Sequence, residues 1–270
     1  MATVIAVANR KGGVGKSTTV CAFADLMKRQ THKRVLVIDC DSQCSSSDTL
    51  RADTDEENEK TIYQLMLDKD ANPNAYICKT EYADIIPASR SLDDIETQAR
   101  QRGLDVSVLS NIIERIEGYD YVFLDTPPGL GFMLYAAVYA ADQVLIPMRA
   151  DRYSVKGFTQ MLEFIYYIHD NYNPQLKVNG VILTQYDKRT NAHRAIYNVI
   201  GKYAESEDTV LYKQTIRNSV VITDAQVEQL PVTAYCKPES NKGNNVSMDY
   251  VQAYNEFLMR LWRLEVEEDE

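Results

Sequence analysis

Two lysines and three glycines stand within six residues near the start of the chain, in Lys11-Gly12-Gly13-Val14-Gly15-Lys16, and Ser17 and Thr18 follow. Glycines let the backbone turn tightly and aim successive N–H groups at one anion. A lysine closing such a turn neutralises phosphate charge, and the hydroxyl after it completes the coordination of a divalent cation. The segment follows the β-branched run Val4–Ala8 and precedes a helical stretch near Ser17–Arg29. Phosphates bound there would also meet the positive end of a helix dipole. On this reading Gly12, Gly13, Val14, Gly15, Lys16, Ser17 and Thr18 cradle a nucleotide, with Lys16 reaching its β- and γ-phosphates. The common form G-x-x-x-x-G-K-[ST] places its first glycine at position 10. Here that position is Arg10, followed by Lys11 as a second lysine inside the loop.

Two further segments carry carboxylates at strand ends. Val37-Ile38-Asp39-Cys40-Asp41-Ser42-Gln43 puts two aspartates two residues apart, pointing to the same side where ligands bind in open α/β sheets. Tyr121-Val122-Phe123-Leu124-Asp125 ends an apolar strand in a carboxylate suited to Mg²⁺, and Thr126-Pro127-Pro128-Gly129 continues from it.

The elements that must position these groups are legible as alternating periods. Val4–Ala8, Val35–Asp39, Asp84–Pro87, Tyr121–Asp125, Gln143–Pro147 and Val178–Thr184 read as strands, several apolar at every position as strands covered on both faces are. Helical stretches fall near Val106–Glu117, Ser154–Tyr172, Asn191–Tyr203 and Val246–Leu264. The expectation is an α/β fold, a mostly parallel twisted sheet with helices on both faces, in one domain over residues 1–270. An acidic loop at about 51–60 and an acidic tail at 265–270 read as solvated.

The loop KGGVGKST resembles the deviant Walker A motif of the ParA/MinD superfamily of P-loop ATPases. The resemblance implies ATP and Mg²⁺, and a homodimer in the ATP state in which Lys11 crosses to the partner's phosphates. Asp39-Cys40-Asp41-Ser42-Gln43 is similar to the D-x-D-P-Q of switch I, with Ser42 in place of proline. By that match Ser17, Asp39 and Asp125 surround the metal, and Asp41 positions the attacking water. Residues 121–125 resemble Walker B, and DTPPGLG resembles switch II. Val144–Pro147 with Tyr153–Gly157, residues 180–191, Thr215–Asn218, and Lys237-Pro238 with Lys242-Gly243 resemble stretches of chromosome- and plasmid-partition ATPases. That narrower likeness implies non-specific DNA binding in the ATP state and stimulation by a ParB-like centromere-binding partner. Adenine falls either to Gln185–Tyr186 or to Arg217–Asn218. The match also departs from the family: its proline is missing near 217, and Val221 stands where a DNA-contacting arginine is common. Arg189 does fall on the family's other basic position, and Lys188, Lys213 and Arg217 are further candidates to add charge.

With 39 acidic against 29 basic residues the net charge is -10, which excludes a protein that coats nucleic acid over its whole surface. Five cysteines without a C-x-x-C pair, and three histidines, do not make a zinc site. No apolar run reaches the roughly 20 residues of a membrane span, and a cytoplasmic location is expected. MinD-type relatives end in a basic membrane-surface helix. Here Tyr254, Phe257, Leu258, Leu261, Trp262 and Leu264 form an apolar stripe ahead of the acidic tail, as a helix packed on the domain would. The 18 tyrosines are scattered, unlike the terminal cluster of the superfamily's tyrosine kinases. The alternative is a MinD-like or regulatory positioning ATPase whose cargo is a protein assembly or a membrane.

Overall fold

A computed structural model describes residues 2–52, 60–236 and 244–269. The acidic segment 53–59 and the Lys237–Gly243 stretch lie outside the described residues. Strands β1 (Thr3–Val7), β2 (Val35–Asp39), β3 (Asp84–Ile86), β4 (Tyr121–Asp125), β5 (Gln143–Arg149) and β6 (Lys177–Thr184) form one sheet in the order β3-β2-β4-β1-β5-β6. Every neighbouring pair is parallel. The helices are α1 (Lys16–Thr31), α2 (Ser45–Thr49), α3 (Ile62–Leu67), α4 (Ile95–Arg102), α5 (Val108–Glu114), α6 (Phe132–Ala140), α7 (Ser154–Asn171), α8 (Asn191–Ser206), α9 (Val220–Val227), α10 (Val232–Tyr235) and α11 (Asn244–Asp269).

The period-two alternation of the strands sorts their side chains into two cores. Ala6, Ile38, Leu124, Ile146 and Leu183 face α3 to α8, whereas Val7, Val37, Phe123, Leu145 and Ile182 face α1, α9, α10 and α11. The apolar stripe of α11 is buried as expected: Tyr254, Phe257 and Leu261 are fully covered, and Phe257 stacks on Phe23 of α1 at 5.1 Å and on Phe123 at 5.9 Å. Trp262 of that stripe is instead 47% exposed. Among the described residues, no helix is long and apolar enough to cross a membrane. α6 carries no sequence signal of its own, because its run FMLYAAVYA is apolar on nearly all sides and has no amphipathic period.

Candidate nucleotide site

The turn between β1 and α1 is built from left-handed glycines, Gly13 at φ 68° and Gly15 at φ 86°. Gly15 caps α1 without a side chain, so the first-turn N–H groups point outward without a side-chain cap. Neighbouring strand ends hold the turn in shape. The Thr184 hydroxyl donates to the Val14 carbonyl (2.8 Å), Gln185 Nε2 to the Gly13 carbonyl (2.9 Å) and the Gly129 N–H to the Arg10 carbonyl (2.8 Å). Val14 itself is a core residue, 1% exposed. A cleft of about 500 Å³ opens over the turn, lined by Gly13, Lys16, Thr18, Asp41, Gln185 and Asn218 among others.

At the floor of this end of the sheet, parallel pairing sets Asp39 directly beside Asp125. Both are fully buried. Asp39 accepts from the Ser47 N–H (2.9 Å), the Ser47 hydroxyl (2.8 Å) and the Asp41 N–H (3.1 Å). Asp125 Oδ2 accepts from the Ser46 hydroxyl (2.7 Å), whereas Asp125 Oδ1 has no hydrogen-bond donor among the described residues. Burial, and then the negative charge of Asp125, push Asp39 above the ordinary carboxylate range. Burial raises Asp125 too, against the pull of the Ser46 and Ser17 hydroxyls and the Lys16 ammonium. Lys16 is 6% exposed; burial lowers its pKa, and Asp125 and then Asp41 draw it back up. Two adjoining buried carboxylates with one unpartnered oxygen, near a serine hydroxyl, fit a small divalent cation. Among the described residues no group of three or more His, Cys, Asp or Glu gathers as ligands, so such a cation needs oxygens from a bound ligand as well.

Asp41 lines the cleft at 8% exposure. The proline absent from position 42 is replaced by a hydrogen-bonded turn, in which Asp41 Oδ1 accepts from Gln43 N–H (3.0 Å) and the Asp41 carbonyl from Cys44 N–H (2.9 Å). Lys11 is half exposed, and its Nζ is ion-paired with Asp151 on the turn before α7. The two adenine alternatives are spatial neighbours: Tyr186 bridges Arg217 in parallel, and its N–H donates to the Ile216 carbonyl (2.9 Å). Gln185 and Asn218 line both the phosphate-loop cleft and an adjoining cavity of about 600 Å³. The Tyr186 ring is 7% exposed against His193, and Arg217 is held by Asp249 through Nε (2.6 Å) and Nη2 (2.8 Å). Arg189 lies on the rim of that cavity, its side chain 91% exposed and bonded to Asp187. Four residues escaped the sequence reading: Ser46, Ser47, Asp151 and Thr184. The Ser45-Ser46-Ser47 run at the start of α2 is a helix-start signal that could have drawn notice; the other two act through contacts distant in sequence.

A family model for an AAA domain matches residues 2–178. Sporulation initiation inhibitor protein Soj of Bacillus subtilis (strain 168) is 31% identical, over 92% of this chain and 96% of Soj. The chain belongs to the ParA/Soj family of P-loop ATPases. Another member, chromosome partitioning protein ParA of Myxococcus xanthus (strain DK1622), is 30% identical over 80% of this chain and 77% of that one. The structure of cobyrinic acid a,c-diamide synthase from Mycobacterium smegmatis, with bound ATP analog and magnesium, superposes with a TM-score of 0.79 at 26% identity, covering 97% of this chain and 96% of that one.

Proposed function

We propose that this chain is a partition ATPase, an ATP-driven switch that pairs two copies, binds DNA without sequence preference while paired, and is released by hydrolysis. The observation that carries the nucleotide part is the buried Asp39–Asp125 pair, with its unpartnered oxygen, set beside Lys16 and Ser17 below a left-handed glycine turn. Ser17, Asp39 and Asp125 are assigned to Mg²⁺, which when bound neutralises charge on the phosphates. The backbone of Gly12 to Thr18 holds the phosphates, and Lys16, poor in water contacts, offers them its ammonium at short range. Asp41 orients the attacking water from the wall of the cleft. Lys11 leaves Asp151 to reach the phosphates of a second copy, and Gln185, Tyr186, Arg217 and Asn218 border the base. The likeness to a chromosome partitioning protein, and Arg189 at the family's basic position, support a DNA cargo and with it a ParB-like protein that stimulates hydrolysis.

Two substitutions test the site. Lys16→Ala abolishes ATP binding in calorimetry. Asp41→Ala keeps binding and pairing but slows steady-state hydrolysis about 100-fold, within the range for a lost proton-handling group. Full ATPase activity in either variant would refute the assignment. A second reading, a positioning ATPase with a protein or membrane cargo, is favoured by one feature: Val220 and Val227 of α9 are 78% and 77% exposed, beside Val221 where the family often carries arginine. Retention on duplex DNA with ATP, but not with ADP, and its loss as salt rises, separates the two; no retention at low salt sinks the DNA reading.

A further inference from the structure

The net charge of -10 is not evenly spread. Residues 149–162 and 185–204 together carry seven lysines and arginines against two carboxylates, Asp151 and Asp187. Both carboxylates already have cationic partners, Lys11 and Arg189. The two segments are joined in space. β5 and β6 pair with Arg149 opposite Thr184, and the helices that follow pack together, with Phe158 of α7 edge-on to Tyr203 of α8 at 5.7 Å. Lys156 and Lys202 therefore stand on contacting turns. Arg149, Arg152, Lys156, Lys188, Arg194 and Lys202 are all exposed. Among the described residues no carboxylate pairs with any of them; Arg194 donates only to the Lys188 carbonyl (3.3 Å) and to Asn191. The outer side of α8 carries Asn191, Arg194, Asn198 and Lys202 and no acid until Glu205, and α7 carries none until Glu163.

We infer that the paired α7/α8 layer, with the two loops that lead into it, is the docking surface for the phosphate backbone of duplex DNA, and that Arg189 is one member of it rather than the whole contact. The inference rests on the DNA reading above and gives it a location. Charge complementarity selects the occupant: cations without carboxylate partners, set on the two loops, the first turn of α7 and the outer side of α8, match regularly spaced phosphates. The surface is also wired to the phosphate loop. Thr184 and Gln185 bond the carbonyls of Val14 and Gly13, and Asp151 holds Lys11.

The test uses the full chain with a non-hydrolysable ATP analogue and Mg²⁺, and a labelled duplex of arbitrary sequence read by fluorescence anisotropy. Arg152→Glu/Lys156→Glu and Arg194→Glu/Lys202→Glu each weaken binding about tenfold or more at low salt, and Lys156→Gln/Lys202→Gln lowers the slope of log K against log salt by about 2. Basal ATPase activity without DNA stays at the wild-type level in all three, and Arg100→Glu/Arg102→Glu on α4 leaves DNA affinity unchanged. Wild type that binds DNA while the α7/α8 variants bind equally well overturns the surface alone. Wild type that binds no duplex overturns the DNA reading with it, as does saturable binding to phosphatidylglycerol vesicles in place of DNA.

Discussion

Lys11 illustrates how little a residue's type says about its state. In the chain by itself it is tied to Asp151, whose carboxyl is in turn aligned by the Tyr153 N–H (3.0 Å) and the Ser154 hydroxyl (3.2 Å). Lys11→Ala is expected to leave ATP affinity within about fivefold, because the half-exposed ion pair it removes is worth about 1 kcal/mol at most. Asp39 and Asp125 behave oppositely, since both are buried side by side and burial outweighs the one nearby cation, Lys16 beside Asp125. Their carboxyls sit above the ordinary range in the folded state, so folding takes up protons between roughly pH 4 and their raised values. Below that window both states are protonated and the pair costs nothing. As pH rises through it, stability falls. Thermal melts of metal-free, nucleotide-free protein should show Asp39→Asn melting about 3 °C higher than wild type at pH 8 and no higher at pH 4.5. Equal shifts at both pH values would mean that Asp39 is not the titrating group.

At the scale of elements, α11 makes the clearest claim. One side of it fills the core against α1 and the sheet, while Met259 on another side is 64% exposed. Phe257→Ala removes a ring packed on Phe23, Phe123 and Tyr254 and should cost about 3–5 kcal/mol, a drop of about 10 °C in the melting temperature. Met259→Ala should move it by less than about 2 °C. Comparable losses at the two positions would show that the helix is not docked by that face. The turn after β2 is a second case: the hydrogen bond that Gln43 N–H donates to the Asp41 carboxylate supplies the constraint that a proline would have supplied covalently.

For the whole molecule, the expected behaviour is conditional association. Light scattering should give a monomer without nucleotide and a dimer with Mg²⁺ and a non-hydrolysable ATP analogue, and Lys11→Ala should bind the analogue yet stay monomeric. Saturating analogue at about 100 times its dissociation constant adds about 2.7 kcal/mol, a rise of about 5–10 °C in the melting temperature. Chelation of Mg²⁺ should reverse most of that rise, and Lys16→Ala should show none of it. A stable dimer without nucleotide would contradict the switch. The negative net charge is compatible with a nucleic-acid cargo because it is a sum over the surface; residues 149–162 and 185–204, with seven cations against two carboxylates, carry the opposite sign.

Periodicity and motif were enough to place the six strands, the glycine turn and the three aspartates, because each rests on local sequence: β-branched runs, glycines before a lysine, and carboxylates at strand ends. Local sequence was silent on α6, whose uniform apolarity has no period, and on Ser46, Ser47, Thr184 and Asp151, whose roles arise from contacts across 79, 8, 170 and 140 residues. Only the tertiary structure brought Gln185–Tyr186 and Arg217–Asn218 together, through a bridge between segments about thirty residues apart in the chain. The family likeness implied that Asp39 and Asp125 share a metal, but their side-by-side pairing came from the fold, since strand order follows from which faces must be covered and not from order in sequence. The charge of each side chain was legible from the start. Which charges share a surface was decided by how α7 and α8 pack.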